Sequence, residues 1–175
     1  MAVMTVQRDV AAPAEKVWAI CTDLERVTEV VSAITALERT DGGSGFGVGT
    51  AWKETRVMFG RESTESMAVT EVDEGRSYVV ESLSRGVLYR TVMRVEPKGD
   101  GCTLSWEFGA EAQSMSAKLM SIVGKLFEGS TKKALVADLD DIAAAAEAAP
   151  EAEAGAADPE PEEPEAEEPE TGASD

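Results

Sequence analysis

The chain has 175 residues, 43% of them hydrophobic, which is enough for one buried core and favours a single domain. Its net charge of −18 argues against a nucleic-acid partner, because an acidic protein is repelled by phosphates. The sequence has no histidine, and its two cysteines, Cys21 and Cys102, lack metal-ligand spacing, so we expect no metal site and no cofactor.

A strand and two short helices are predicted at the start of the chain. In residues 3–10 the apolar side chains of Met4, Val6 and Val10 fall on one side, as in a strand. The segment AAPAEKVWAICTD follows, in which Pro13 suits a first helical turn and the apolar residues have helical spacing. Thr22 and Glu25 match a capping box, which predicts a second short helix through about Val31.

Six more strands are predicted after these helices. They cover residues 34–40, 50–59, 63–72, 77–83, 87–96 and 103–110. The segments between them include DGGSGFG, DEGR, SRG and KGDG, which are rich in turn-forming residues. Such short connections favour antiparallel neighbours joined as hairpins. The glycine-rich segment leads into a strand rather than a helix, and no Lys-Ser/Thr follows it, so it does not predict a nucleotide site.

One long helix is predicted from Ser114 to about Ala146. Its apolar residues recur at near-helical spacing and form a stripe: Leu119, Ile122, Val123, Leu126, Phe127, Leu135, Leu139 and Ile142. This stripe either covers the sheet as core or closes a cavity, and different parts of one helix can do both.

An acidic tail ends the chain. From residue 151 onward it has 11 acidic residues and no Lys or Arg. Because the tail lacks aromatic and large aliphatic residues, it cannot offset its ordering entropy by burial. We therefore expect residues 1–148 to form one folded domain and residues 149–175 to be a disordered tail rich in Pro, Glu and Ala. The tail is either a solubilising extension or an arm that binds a partner.

The order of strand, two short helices, six strands and a long helix resembles the helix-grip fold of the START and birch-pollen-allergen superfamily, often called SRPBCC. More narrowly, the chain resembles the polyketide cyclase/dehydrase and lipid-transport family. The segments that carry the resemblance are AAPAEKVWAICTD, GVGTAW and GDGCTLSWEF. The resemblance implies an α+β fold in which a curved antiparallel sheet of six to seven strands wraps around the long C-terminal helix and leaves an internal cavity.

In that fold one face of each strand lines the cavity. By alternation we assign these strand residues to the inner face: Trp52, Glu54, Arg56, Glu65, Met67, Val69, Tyr78, Val80, Ser82, Tyr89, Thr91, Met93, Leu104, Trp106 and Phe108. The long helix contributes Met115, Leu119, Ile122 and Val123. The predicted lining is mostly apolar and aromatic, as small-molecule sites tend to be.

The charged residues of the predicted lining permit two interpretations. If Glu54 and Arg56 face inward, their burial requires pairing with each other, with Glu65 or with a ligand. In a catalytic interpretation, Arg56 holds a carbonyl or enolate oxygen, Glu54 or Glu65 is the base, and Tyr78 or Tyr89 is the acid. A register shifted by one residue instead turns Glu54 and Arg56 into ordinary solvated charges.

Two main classes of function follow. The first is binding or carriage of a small hydrophobic molecule, such as a lipid, an isoprenoid or an aromatic or polyketide metabolite. The second is a cyclase or dehydratase acting on a polyketide in the same cavity. Because histidine is absent, the sequence favours binding over catalysis. A partner-binding module is a third alternative, which only the acidic tail supports.

Localisation and assembly are predicted from what the sequence lacks. The first residues, MAVMTVQRDV, do not form a basic start followed by an apolar stretch, so no signal peptide is predicted. No apolar run approaches the roughly 20 residues that cross a bilayer. We expect a cytoplasmic protein without stable membrane insertion, as a monomer or weak homodimer. The sequence identifies no protein partner.

Overall fold

The computed structural model describes residues 2–58, 60–113 and 128–148, and within these ranges the chain forms seven strands and three helices. In chain order they are β1 (Ala2–Val10), α1 (Ala14–Thr22), α2 (Val27–Val30), β2 (Ile34–Arg39), β3 (Ala51–Met58), β4 (Arg61–Asp73), β5 (Ser77–Ser84), β6 (Val87–Lys98), β7 (Gly101–Ala112) and α3 (Glu128–Ala148).

All seven strands join in one antiparallel sheet. Its order is β1-β7-β6-β5-β4-β3-β2, so β2 to β7 form a meander of hairpins and β1 pairs with β7 at the far edge. Helix α3 packs chiefly on β1 and α1. The predicted α+β architecture, with a curved antiparallel sheet, short helices after the first strand and a C-terminal helix, is confirmed.

The strand boundaries agree closely with the sequence-based prediction, but the long helix can be compared only in part. Residues 128–148 are helical, as predicted. The remainder of the predicted helix, residues 114–127, lies outside the described residues, and with it the predicted ligand contacts Met115, Leu119, Ile122 and Val123. The predicted acidic tail, 149–175, lies outside them as well.

The capping box predicted for the second helix is wrong. Thr22 is the last residue of α1, and its hydroxyl donates a hydrogen bond of 2.9 Å back to the carbonyl of Trp18. A carboxylate oxygen of Asp23 instead accepts the backbone N–H of Glu25. Because Thr22 is occupied within its own helix, α2 begins only at residue 27 and has a single turn.

A β-bulge in β4 helps to shape the inner face of the sheet. Val69 pairs with Val80 and Val72 pairs with Tyr78, so one extra residue is inserted between the two pairs. The bulge places Val69 and Val72 on the same face although they are three residues apart, and it bends the strand.

The inner face carries two apolar clusters. The larger one lies between α1, α3 and the β1 side of the sheet: Val6, Val10, Val17, Trp18, Met93, Val95, Leu104, Leu135, Leu139, Ile142, Ala143 and Ala146 are among its buried members. The smaller one consists of buried Leu24, Trp52 and Val69, with the partly buried Leu37, Phe46, Met67, Val72 and Val80 around them. Among the described helices, none combines the length and the apolar composition that crossing a bilayer requires.

Candidate ligand-binding site

Cross-strand pairing aligns the predicted lining residues in rows on the inner face. Three rows cross β5, β6 and β7: Tyr78–Met93–Trp106, Val80–Thr91–Phe108 and Ser82–Tyr89–Ala110. Three further pairs join β3 and β4: Trp52–Met67, Glu54–Glu65 and Arg56–Ser63. The structure therefore brings the predicted strand residues onto one continuous surface.

The strand β3 has the register that alternation predicted. Trp52 is 6% exposed and Glu54 is 8% exposed, whereas Lys53 between them faces solvent. Trp52 belongs to the smaller apolar cluster, where it packs with Leu24 and Val69. It is therefore a core aromatic of the described structure.

A chain of polar contacts connects β3 to the last helix. Arg56 donates through Nε to Glu54 at 2.9 Å and through Nη2 to Asp138 at 3.0 Å. The indole Nε1 of Trp52 donates to the other carboxylate oxygen of Glu54 at 3.4 Å. We call Glu54, Arg56 and Asp138 the buried ion triad, because Asp138 is only 1% exposed and the other two side chains are nearly enclosed.

Burial and charge act in opposite directions within the triad. Burial favours a lower pKa for Arg56, but the charges and hydrogen bonds of Asp138 and Glu54 together outweigh it and raise that pKa. Burial raises the pKa of Asp138, and the like charge of Glu54 adds to this effect, although Arg56 opposes it. Arg56 thus remains a cation, and its charge offsets part of the cost of ionising the buried carboxyl of Asp138.

Asp138 was not predicted from the sequence, although a signal for it exists. It follows Leu135 by three residues and precedes Ile142 by four, which places a carboxylate within the apolar stripe of α3. A charged residue in a buried stripe requires a partner. Glu65, which was considered as a partner of Arg56, instead accepts a hydrogen bond of 3.1 Å from the hydroxyl of Ser63.

The two tyrosines named as candidate acids have different surroundings. The Tyr78 hydroxyl donates to the carbonyl of Cys21 at 3.2 Å, and its ring meets Phe46 edge-on at 4.9 Å between centroids. Burial raises the pKa of Tyr78 well above its usual value, so this hydroxyl is a poor proton donor. Tyr89 is half-buried and stacks on Phe108 at 5.9 Å.

Two buried polar atoms of the inner face have no hydrogen-bond partner among the described residues. They are the hydroxyl oxygen of Ser82 and the indole Nε1 of Trp106. Buried polar groups are almost always hydrogen-bonded, so these two atoms are available to a partner beyond the described residues.

The described residues form a depression of about 420 Å³ beside Asp9, Lys98, Gly101 and Glu147 at one end of the sheet. A second depression of about 180 Å³ lies beside β4, β5 and β6, and Tyr78 is the only predicted lining residue among those described around either. The described carboxylates do not converge into a group that could hold a metal ion.

Comparison with known proteins agrees with this architecture. The sequence matches the family described as polyketide cyclase/dehydrase and lipid transport over residues 1–147. No curated protein sequence matches the chain.

Two solved structures from plants are similar. Norcoclaurine synthase from Thalictrum flavum has a TM-score of 0.63 and 23% identity, and the match covers 82% of this chain and 92% of that one. Ginseng major latex-like protein 151 from Panax ginseng has a TM-score of 0.66 and 15% identity, with 83% and 97% covered.

A third similar structure is the di-domain ARO/CYC StfQ from the steffimycin biosynthetic pathway. Its TM-score is 0.67 and its identity is 13%, and the match covers 83% of this chain but 50% of that one. At these identities the structural similarities establish the fold, whereas the family match extends over nearly all of residues 1–148. The chain belongs to the polyketide cyclase/dehydrase and lipid transport family.

Proposed function

We propose that the protein binds a small hydrophobic molecule on the inner face of its sheet, over β4, β5 and β6. The observation that carries the proposal is a gradient of burial along β6. Met93 is completely buried in the larger apolar cluster, which includes residues of α1 and α3, whereas Thr91 and Tyr89, on the same face towards the β5–β6 hairpin, are only partly buried. Apolar and aromatic surface thus continues beyond the region that the described part of α3 covers.

The character of this surface suits an apolar ligand. Its members on β4 to β7 include Met67, Val80, Tyr89 and Phe108, all of them partly buried. Ligand sites in proteins are concave and mainly apolar, with a few polar groups that orient the ligand. The family description joins polyketide chemistry with lipid transport, and the molecules involved in both are largely apolar.

Binding is favoured over catalysis because most of the candidate catalytic groups are already engaged. Glu54 and Arg56 bind each other, Arg56 also binds Asp138, and Tyr78 donates to a backbone carbonyl. A cyclase or dehydratase is the second candidate function. Its support is that Glu65 and Tyr89 lie on the proposed binding surface and carry groups that can transfer protons.

The experiment is a fluorescence titration with N-phenyl-1-naphthylamine, a neutral apolar probe whose emission rises on binding. We expect saturable binding, and we expect Tyr89→Ala to weaken it about tenfold through loss of an aromatic contact. Leu83→Ala is the matched control, because Leu83 is 67% exposed on the opposite face of the neighbouring strand. Absence of saturable binding, or equal losses in both variants, contradicts the proposal.

A further inference from the structure

The inner face of β3 and β4 carries two carboxylates, Glu54 and Glu65, and two guanidinium groups, Arg56 and the exposed Arg61, in the described part of the chain. Glu54 and Glu65 stand directly opposite each other across the two strands, and Asp138 approaches Glu54 from α3 through their shared partner Arg56. Arg39, which pairs with Trp52 in the sheet register, forms its ion pair with Asp41. Two of these three carboxylates, Glu54 and Asp138, therefore share the guanidinium of Arg56.

Glu65 forms no ion pair with a described residue, although the exposed Arg61 lies four residues before it on the same face. Arg56 directs its Nε to Glu54 and its Nη2 to Asp138, so its charge is shared by those two groups. The hydrogen bond recorded for Glu65 comes from the neutral hydroxyl of Ser63. Like charges directly opposite each other in a sheet are destabilising, so a cation beside Glu65 relieves its repulsion with Glu54.

A second observation at the same place is independent of charge. Ser82 is 6% exposed, and its hydroxyl has no hydrogen-bond partner among the described residues. The register of β4 and β5 places Ser82 beside Met67, which is the next residue after Glu65 on this face. A buried hydroxyl without a partner carries a free-energy penalty that a bound hydrogen-bonding group removes.

An aromatic ring completes the surroundings. Tyr89 pairs with Ser82 in the adjacent strand and is half-buried on the same face. The face of an aromatic ring attracts a cation, most strongly where water is partly excluded. A carboxylate, a hydroxyl acceptor and an aromatic face together match the needs of a protonated amine, which has several N–H donors and one positive charge.

We propose that the hydrophobic ligand carries a basic amine, which binds between Glu65 and Ser82 beside the ring of Tyr89. The inference rests on the proposed function, because it adds a polar group to a ligand whose apolar body lies along Val80, Thr91 and Phe108. It assigns specificity to the inner face: an amine is preferred over a neutral alcohol of the same size, and a carboxylate is disfavoured.

The test is competition against N-phenyl-1-naphthylamine at neutral pH by three molecules with the same alkyl chain: dodecylamine, dodecanol and dodecanoate, each below its micellar concentration. We expect dodecylamine to compete about tenfold more strongly than dodecanol, and dodecanoate to compete least. Glu65→Gln should remove most of the amine preference, measured as the ratio of competition by dodecylamine to competition by dodecanol. Ser82→Ala should reduce the preference about threefold by removing one acceptor.

Glu62→Gln is the matched control, because Glu62 is an exposed residue of the same strand on the opposite face. If Glu62→Gln loses the amine preference to the same extent, the preference arises from overall charge, and the proposal is overturned. Equal competition by all three molecules, with the probe still bound, also overturns it but leaves the proposed function intact. Failure of the probe to bind contradicts the proposed function itself. Thermal unfolding of each variant confirms that the native fold is retained.

Discussion

Replacing Arg56 tests the buried ion triad, which joins β3 to α3. Arg56→Met places an unbranched, uncharged side chain at this position. It removes the cation between Glu54 and Asp138, which are 8% and 1% exposed. Removal of one partner from a buried ion pair typically costs about 3–5 kcal/mol, because it leaves uncompensated charge in the interior. For a protein of this size, that corresponds to a fall in melting temperature of about 10 °C.

Asp138→Asn is the informative counterpart. Burial raises the pKa of Asp138, which means that the ionised carboxylate is less favourable in the folded state than in the unfolded chain. The isosteric amide should therefore change the free energy of unfolding little, and far less than Arg56→Met does. Adding Asp138→Asn and Glu54→Gln to Arg56→Met should restore most of the lost stability, because no buried charge then remains.

The pH dependence provides a second readout. A carboxyl group whose pKa is higher in the folded state than in the unfolded state contributes most to stability below its unfolded-state pKa of about 3.9. This contribution is lost as the pH rises through the folded-state pKa. Without Arg56 the pKa of Asp138 rises further. The stability deficit of Arg56→Met relative to the unmodified protein should therefore shrink as pH falls from neutral.

The assay is urea unfolding monitored by tryptophan fluorescence, with both proteins measured at each pH. A loss in free energy of unfolding below about 1 kcal/mol at neutral pH is the range measured for exposed ion pairs. Such a small loss in Arg56→Met shows that the triad is solvated and contradicts its burial. A deficit that grows as pH falls refutes it as well.

Three further predictions concern the rest of the fold. Trp52→Ala should lower the free energy of unfolding by about 3–5 kcal/mol in the same urea assay, because Trp52 packs with Leu24 and Val69; a loss below about 1 kcal/mol contradicts its place in the core. Burial raises the pKa of the Cys21 thiol to about 12 and also raises the pKa of the Cys102 thiol. Both thiols should therefore react with Ellman's reagent only when the protein unfolds, and rapid labelling of the native protein contradicts this. Gly101→Ala should lower the melting temperature because its new Cβ collides with the carbonyl oxygen of Val10. Gly45→Ala, at a site with open space, should leave the melting temperature unchanged. Equal effects of the two changes contradict the close approach of β1 and β7.

The sequence predicts the strands well because their signals are local. Alternation determines which face each side chain joins, and the turn-forming segments determine where strands end, so Trp52, Glu54 and Arg56 could be assigned to one face in advance. The sequence could not reveal that Arg56 reaches Asp138, because the two residues are 82 positions apart and meet only when α3 packs. The hydroxyl of Thr22 illustrates a local ambiguity, since it can cap a following helix or bond back to its own.

The candidate site was predicted less completely for the same reason. Local patterns place Glu65 and Ser82 on the inner face, but they do not say which polar groups receive partners. That depends on the competition for Arg56, which Glu54 and Asp138 win over Glu65 through their position beside the guanidinium. The hydroxyl of Ser82 remains without a partner among the described residues for a related reason, since its row neighbours Met67 and Tyr89 offer it no hydrogen bond in the structure.

The central claim is that a hydrophobic molecule binds on the inner face of the sheet over β4, β5 and β6. The most direct measurement is methyl NMR of protein labelled at Met, Leu and Val methyl groups, titrated with N-phenyl-1-naphthylamine. We predict saturable shifts of Met67 and Val80, which face inward, and none of Val57 and Leu83, which are exposed on the other face. Shifts at Val57 and Leu83 without shifts at Met67 and Val80 would contradict the account.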